Sequence, residues 1–513
     1  MQLRKITNPK KGLKRPNKYA FVCMLLLPFS ISLVHAAEVD NAKKHKTLQE
    51  SLDKIFLPKP KRSIDKIDVT ELSKFNLDTT RVAELPAVSY GQKIQGSYNP
   101  NTVAKNLSFV DAIHIAVQRR PEITQSIAAV GSQSANVDVA NAAYYPQISG
   151  GLGTADLTKG ERGRQLFSLN ATQMLYDFGK TRSLVDIEEA KTLQEQANVL
   201  VNLDEVSLEV ANAIINIKRY QEITKIANQQ IAGVSRIAEI ANLRAKAGIS
   251  SQADPIQAQS NLEAAESNLI VQETQLKQYQ QRLRTLLGFD VSNINWVIPD
   301  RILTAAELYK DPDFKMIPSM MQAQAGVEVA KLQKQQSKLS AYPTINVKGS
   351  LSQAVNGRNP NNNEDDGLYS SIMLEATSNL YQGGAIAAQT RAASYAEEAA
   401  KAQVNTVYLD VVDQVRLIRE QIENKKRQMS VLVQRRETTV RTKELYQEQY
   451  KLGTRTVVDL LNAEQAIHSA AQEIVSSQYD IYASLAQYIQ VTGRSRDIYE
   501  LNNMSIQGFE VQP

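Results

Sequence analysis

Arg455 and Asp459 stand four residues apart, the spacing at which a cation and a carboxylate share one helix face and can pair. Asp254 takes the matching place 205 residues earlier, so an acid recurs at two equivalent positions. Groups of this kind hold and release contacts or attract cations; they do not break covalent bonds. Other residues with chemical potential are sparse. His468 follows Glu464 by four residues on a helical stretch, which an exposed polar face explains, and Glu364 and Asp365 fall in a polar segment where acids are solvated. The sequence has no glycine-rich phosphate loop, nucleophile elbow or His-Glu-x-x-His pattern. His45, His114 and His468 are too scattered for a metal site, and the single cysteine, Cys23, lies within an N-terminal apolar run. The expectation is a protein that is not an enzyme, with no catalytic residue, cofactor or metal.

The chain has 513 residues, 42% hydrophobic and 22% charged, an ordinary globular balance. Its net charge of +5 comes from the first eighteen residues, where Arg4, Lys5, Lys10, Lys11, Lys14, Arg15 and Lys18 occur without an acid. The basic balance therefore gives no argument for nucleic acid. The basic stretch, the apolar run Tyr19 to Val34 and the small-residue site Val34-His35-Ala36 read as a secretory signal cut before Ala37. Cys23 is followed by Met24-Leu25-Leu26-Leu27 rather than by a cleavage point, so no lipid anchor is expected.

What positions the acids is a duplicated unit. Pro121 and the segment Tyr145-Pro146-Gln147-Ile148 recur as Pro318 and Tyr342-Pro343-Thr344-Ile345. Farther on, Leu175-Tyr176, Gly248, Asp254, Ala258 and Gly288 recur as Leu380-Tyr381, Gly453, Asp459, Ala463 and Gly493. The offset widens across Asn356 to Gly367, a polar loop. Within each copy a helix ends before the Tyr-Pro pair, and alternation of period two follows. The alternating positions are Ile148, Gly150, Leu152 and Phe167, Leu169, Ala171, Gln173, Leu175 in the first copy. In the second they are Ile345, Val347, Gly349, Leu351 and Ile372, Leu374, Ala376, Ser378, Leu380. Each set predicts a β-hairpin. After Gly179 and Gly384 the spacing turns helical, as in Val404, Val407, Val411, Val415, Ile418 and Ile422. These helices run to Gly248 and Gly453, about 68 residues or roughly 100 Å each, too long for a globular core and therefore coiled coils. A return helix follows each glycine, over about Ser251 to Leu287 and Thr456 to Val491, and the helix before each hairpin fills the remaining length.

Strands of roughly ten residues match the span of a tilted outer-membrane barrel strand. Four strands cannot close around a lumen, and open edges in lipid are prohibitively costly, so several chains must share one barrel of 8, 12 or 16 strands. Polar alternates such as Ser168, Asn170 and Thr172 suit a water-filled pore and equally a solvated sheet face.

From Leu107 to Gly493 the sequence resembles the TolC family of trimeric outer-membrane export channels. The marks are the two Tyr-Pro junctions, Leu175-Tyr176-Asp177-Phe178-Gly179 and Leu380-Tyr381-Gln382-Gly383-Gly384 after the hairpins, and above all Tyr450-Lys451-Leu452-Gly453-Thr454-Arg455-Thr456-Val457-Val458-Asp459-Leu460-Leu461, similar to the family's periplasmic hairpin tip. Phe178 departs from the second glycine usual there. The resemblance implies an α+β membrane protein: a trimer whose chains give four strands each to a twelve-stranded outer-membrane β-barrel, continued by a long periplasmic α-helical coiled-coil barrel, all on an internal tandem duplication.

The resemblance also implies a periplasmic gate at Tyr450, Arg455, Asp459 and Asp254. Pairs such as Arg455 with Asp459 hold the coils inward, and Asp459 around a three-fold axis forms an acidic ring selecting cations. Asn462 replaces a second acid frequent in the family and weakens that ring. Taken singly, an Asp inside a helix start is a dipole partner and a Gly between helices a C-cap. Gly248, Ile249, Gly453 and Thr454 form tips that an adaptor's helical hairpin could grip. The implied partners are two further copies, a periplasmic adaptor, an inner-membrane ABC or RND transporter and outer-membrane lipid, without nucleic acid. The expected role is export, foremost type I protein secretion; multidrug efflux and, in another class, a secreted structural coiled coil are alternatives. The expected organisation is a signal peptide (1–36), a periplasmic extension without an assigned role (37–106), a first repeat (107–293), a connector (294–317), a second repeat (318–496) and a tail (497–513).

Overall fold

Proline and small-residue caps set the helix starts. A computed structural model describes residues 107–155, 164–299, 306–355, 357–359, 361–379 and 381–512, with Leu72 and Thr304. The expected signal peptide and, apart from Leu72, the extension to 106 lie outside the described residues. Helix α1 (Phe109–Arg119) opens on a capping box, Asp111 N–H donating to Ser108 Oγ at 3.0 Å and Ser108 N–H to Asp111 Oδ2 at 3.2 Å. Helix α2 (Pro121–Ala142) begins on proline, whose missing N–H costs nothing at that position.

Helix α3 (Lys180–Lys246) is 67 residues long. Val199, Leu203, Val206, Val210, Ala213 and Ile217 are buried along it at spacings of three and four, a coiled-coil seam. Helix α4 (Ala253–Leu287) returns along α3, and α2 packs on the other part of its length. The second copy repeats the plan. Helix α5 (Pro318–Leu339) and helix α7 (Val457–Val491) both pack on α6 (Ala385–Lys451), which also has 67 residues. The two halves meet because α5 and α7 also lie against α3.

Strands β1 (Gln147–Ala155), β2 (Arg164–Tyr176), β3 (Thr344–Val355) and β4 (Leu368–Thr377) form one antiparallel sheet in the order β1-β2-β3-β4. Strand β4 stops at Thr377, so the alternation expected through Ser378 and Leu380 ends early; Leu380 itself lies outside the described residues. A register shift between Met174 and Tyr176 marks a bulge where β2 approaches α3. The polar loop expected before β4 is closed by an Arg358–Asp365 ion pair at 3.2 Å and by the buried Asn359, whose amide donates to the Ser352 and Gly367 carbonyls.

The main core lies midway along the helices, around Phe109, Ile113, Leu203, Ile214, Leu283, Trp296 and Tyr488. The tail folds into it. Helix α8 (Ser495–Ile498) and the strands β5 (Ser505–Ile506) and β6 (Phe509–Glu510) bury Tyr499, Leu501, Ile506 and Val511 there. His114 Nε2 donates to the Tyr499 carbonyl at 2.7 Å, and Arg496 donates to the carbonyls of Met316 and Gln512.

Candidate functional site

The register sorts the sheet's side chains into two faces. Ile148, Leu152, Phe167, Leu169, Val347, Leu351, Ile372 and Leu374 fall on one face. Leu152, Ile372 and Leu374 are 75%, 74% and 69% exposed. On the other face Ser149, Asn170, Ser350 and Ser371 stand side by side across all four strands, the two serine hydroxyls 2.7 Å apart. Lys348 and Glu375 pair there at 2.6 Å. A sheet that exposes a mainly apolar face, interrupted by Gln173, Gln353 and Ser370, and lines the opposite one with hydroxyls, an amide and an ion pair suits lipid on one side and water on the other. Among the described residues no helix is long and apolar enough to cross a membrane.

Aromatic side chains gather where strands meet helices. Tyr144, Tyr145, Tyr176, Phe178, Tyr342 and Tyr381 are all exposed, as in the aromatic belt of a membrane interface. Phe178 holds φ +58°, a left-handed conformation that its equivalent Gly383 adopts at +59° without a side-chain clash. The Phe178 ring stacks on Tyr342 at 5.4 Å and meets the Tyr176 edge at 4.8 Å. Asp177 fixes this turn by accepting the Gly179 and Thr181 N–H groups at 2.9 and 2.6 Å.

At the opposite ends of the long helices both tips turn on glycine. Gly248 at φ +70° and Gly453 at φ +78° follow the helix ends, and the next residues, Ile249 and Thr454, donate back to Arg244 and Gln449 carbonyls at 2.9 and 3.0 Å, a Schellman pattern. Arg455 lies 3.7 Å from the Asp459 carboxylate, donates from Nε to Gln449 Oε1 at 2.9 Å and stacks 4.5 Å from the Tyr446 ring centre. Asp459 completes a capping box with Thr456, whose hydroxyl also donates to it at 2.9 Å. That hydroxyl contact, ahead of the Arg455 charge, holds the Asp459 carboxyl below its ordinary range. Asp459 thus serves its helix start and its ion pair together. Tyr450 is 3% exposed, and burial, then the negative charge of Asp254, push its phenol up. No hydrogen bond joins Tyr450 to Asp254 among the described residues. Asn462, one residue beyond the buried Leu461, is exposed.

Two tip features were not anticipated. Arg244 of α3 lies over the Tyr450 ring of α6 at 4.8 Å and donates to the Lys451 carbonyl at 3.1 Å. Glu464 and His468 do not lie on an exposed polar face: they are 2% and 8% exposed and contact one another at 3.1 Å. The signal was present in the stripe Val457, Leu461, Glu464, His468, Ala471, whose steps of three and four continue the core seam through both polar residues.

The sequence profile of the outer membrane efflux protein family matches residues 112–289 and again 316–494. The chain belongs to this family. TolC of Vibrio cholerae is 22% identical over 420 residues, covering 79% of this chain and 95% of the relative. The outer membrane efflux protein BepC of Brucella suis is 21% identical over 420 residues, covering 78% and 88%. The crystal structure of VceC, an outer membrane protein of Vibrio cholerae, superposes with a TM-score of 0.66 at 16% identity, covering 75% of this chain and 96% of VceC, a likeness of fold.

In an outer membrane efflux protein the two-faced sheet is the membrane part and the long helices the periplasmic part. The aromatic junctions then lie at the inner rim of the membrane and the Gly248 and Gly453 tips at the far end of the periplasmic tunnel.

Proposed function

We propose that three copies of this chain close one twelve-stranded barrel, strand β4 of each pairing with β1 of the next, and that the resulting tunnel exports protein by type I secretion with a periplasmic adaptor and an inner-membrane ABC transporter. One observation carries the shared conduit: β1 and β4 are unpaired edges of a sheet whose apolar face is exposed, an arrangement that lipid tolerates only in a closed barrel. Tyr450, Arg455, Asp459 and Asp254 then gate the tunnel's periplasmic end, with Asn462 thinning the acidic ring. Gly248, Ile249, Gly453 and Thr454 present the tips to the adaptor, and the exposed Ile249 and Leu452 supply apolar contact.

Type I secretion is supported by the resemblance of the Tyr450 to Leu461 segment to the TolC family of export channels and by Cys23 standing inside the apolar run rather than at a cleavage point. A second reading, efflux of small toxic compounds through an RND transporter, is favoured by the likeness to BepC, a protein named for efflux. Deleting the gene in its own host separates the two. Secretion predicts that a protein disappears from the medium with unchanged tolerance of dyes and detergents; efflux predicts hypersensitivity with an unchanged secreted profile.

A further inference from the structure

Charged groups in the seam of a coiled coil weaken it and fix its register, so each calls for a physical account. Glu464 of α7 is such a group. Its carboxylate takes Lys443 Nζ of α6 at 2.5 Å and His468 Nε2 of its own helix at 3.1 Å. Burial pushes the acid up, but the His468 and Lys443 contacts outweigh it and hold the acid below its ordinary range, which keeps it ionised at neutral pH. From α3 the carboxylate is met by bare backbone. Gly233 is the single glycine within either long helix, and a Cβ placed there would overlap the Glu464 carboxylate and crowd its Cγ at 3.3 Å. Mid-helix glycine is unfavourable relative to alanine, and close approach of another group is what makes it useful.

The α3–α4 pair and the α6–α7 pair meet through α3 and α7, and Glu464 stands about 7.5 Å along α7 from Asp459 at 1.5 Å per residue. Separating the pairs near the tips requires the carboxylate to leave its notch, and it cannot swing aside without giving up Lys443 and His468. We propose that Glu464 seated against Gly233 is an interlock between the two helix pairs that helps keep the tunnel end closed. The proposal rests on the tips acting as a gate.

The test is a double-mutant cycle on the full detergent-purified assembly, read by melting temperature and by planar-bilayer conductance, with an Arg455→Ser, Asp459→Ala variant measured alongside. In the native background Gly233→Ala is expected to lower the melting temperature and enlarge the conductance. In the Glu464→Ala background the same change is expected to raise the melting temperature, because only the helix preference for alanine remains. Equal shifts in both backgrounds overturn the interlock. A sign reversal with unchanged conductance in Gly233→Ala, while the Arg455 and Asp459 variant widens, overturns its closing role and leaves the gate intact. A sign reversal with wider Gly233→Ala steps, while the tip variant does not widen, supports the interlock and removes Arg455 and Asp459 as the gate. If Gly233→Ala fails to assemble, recovery on adding Glu464→Ala supports the coupling and its absence overturns it.

Discussion

The Arg244 guanidinium lies 4.8 Å from the centre of the Tyr450 ring and donates to the carbonyl of Lys451, the last residue of α6. One side chain of α3 therefore clasps an aromatic face and a free helix-end carbonyl of α6, joining the two long helices at the tunnel end. Among the described residues the Tyr450 hydroxyl makes no hydrogen bond. Tyr450→Phe is accordingly expected to leave single-channel conductance unchanged, whereas Arg244→Ala loses a contact of about 0.5–2 kcal/mol and loosens the tip. Recording both variants in one bilayer series checks this; a Tyr450→Phe effect as large as that of Arg244→Ala points to a hydroxyl contact instead.

The hairpins and long helices were legible because each is long enough for its period to repeat: Phe167, Leu169 and Ala171 step by two, and Val411, Val415, Ile418 and Ile422 by three and four. The Arg455–Asp459 pair was legible because it is local. Arg244 was not, since its partner lies across 206 positions of sequence and nothing in its own neighbourhood marks it. Residue type alone puts Glu464 and His468 on a polar face, whereas the apolar residues flanking them place both in the seam. The tail gave no pattern because α8, β5 and β6 span only four, two and two residues, too short for periodicity, and are held by contacts such as Arg496 to the Met316 carbonyl.

Neighbouring positions on β2 should respond oppositely to charge. Leu169 lies on the exposed apolar face, where a lysine costs about 2–4 kcal/mol if the position is near the membrane midplane. Asn170 lies on the polar face beside Ser149 and Ser350. Asn170→Lys is expected to fold normally and shift ion selectivity toward anions, while Leu169→Lys lowers the heat-resistant fraction of assembly on gels. Equal tolerance of both changes contradicts the face assignment.

Phe178 trades backbone strain for ring contacts. Phe178→Gly removes the left-handed strain, of order 1 kcal/mol, but also removes the stack on Tyr342 and the edge contact with Tyr176. Phe178→Ala keeps the strain and loses the rings. Thermal melting should therefore order the proteins with Phe178→Ala least stable and Phe178→Gly above it.

Asp204 is buried in α3, and burial pushes its carboxyl up to about 7 against the pull of Arg496. An acid whose folded pKa is raised binds its proton more tightly when folded. Its contribution is thus fully present below the unfolded value near 3.8 and is lost as pH rises towards about 7, at no more than about 1.4 kcal/mol per pH unit. Asp204→Asn should remove that slope and stabilise the fold at pH 8. Melting temperatures from pH 4 to pH 8 test this, and parallel curves for the two proteins would refute it.

Conductance of the purified mature protein in a planar bilayer tests the central claim most directly. Small, discrete, cation-selective steps are expected, becoming larger on Arg455→Ser, Asp459→Ala. Failure of both proteins to insert or conduct would contradict the shared barrel that the two-faced sheet implies.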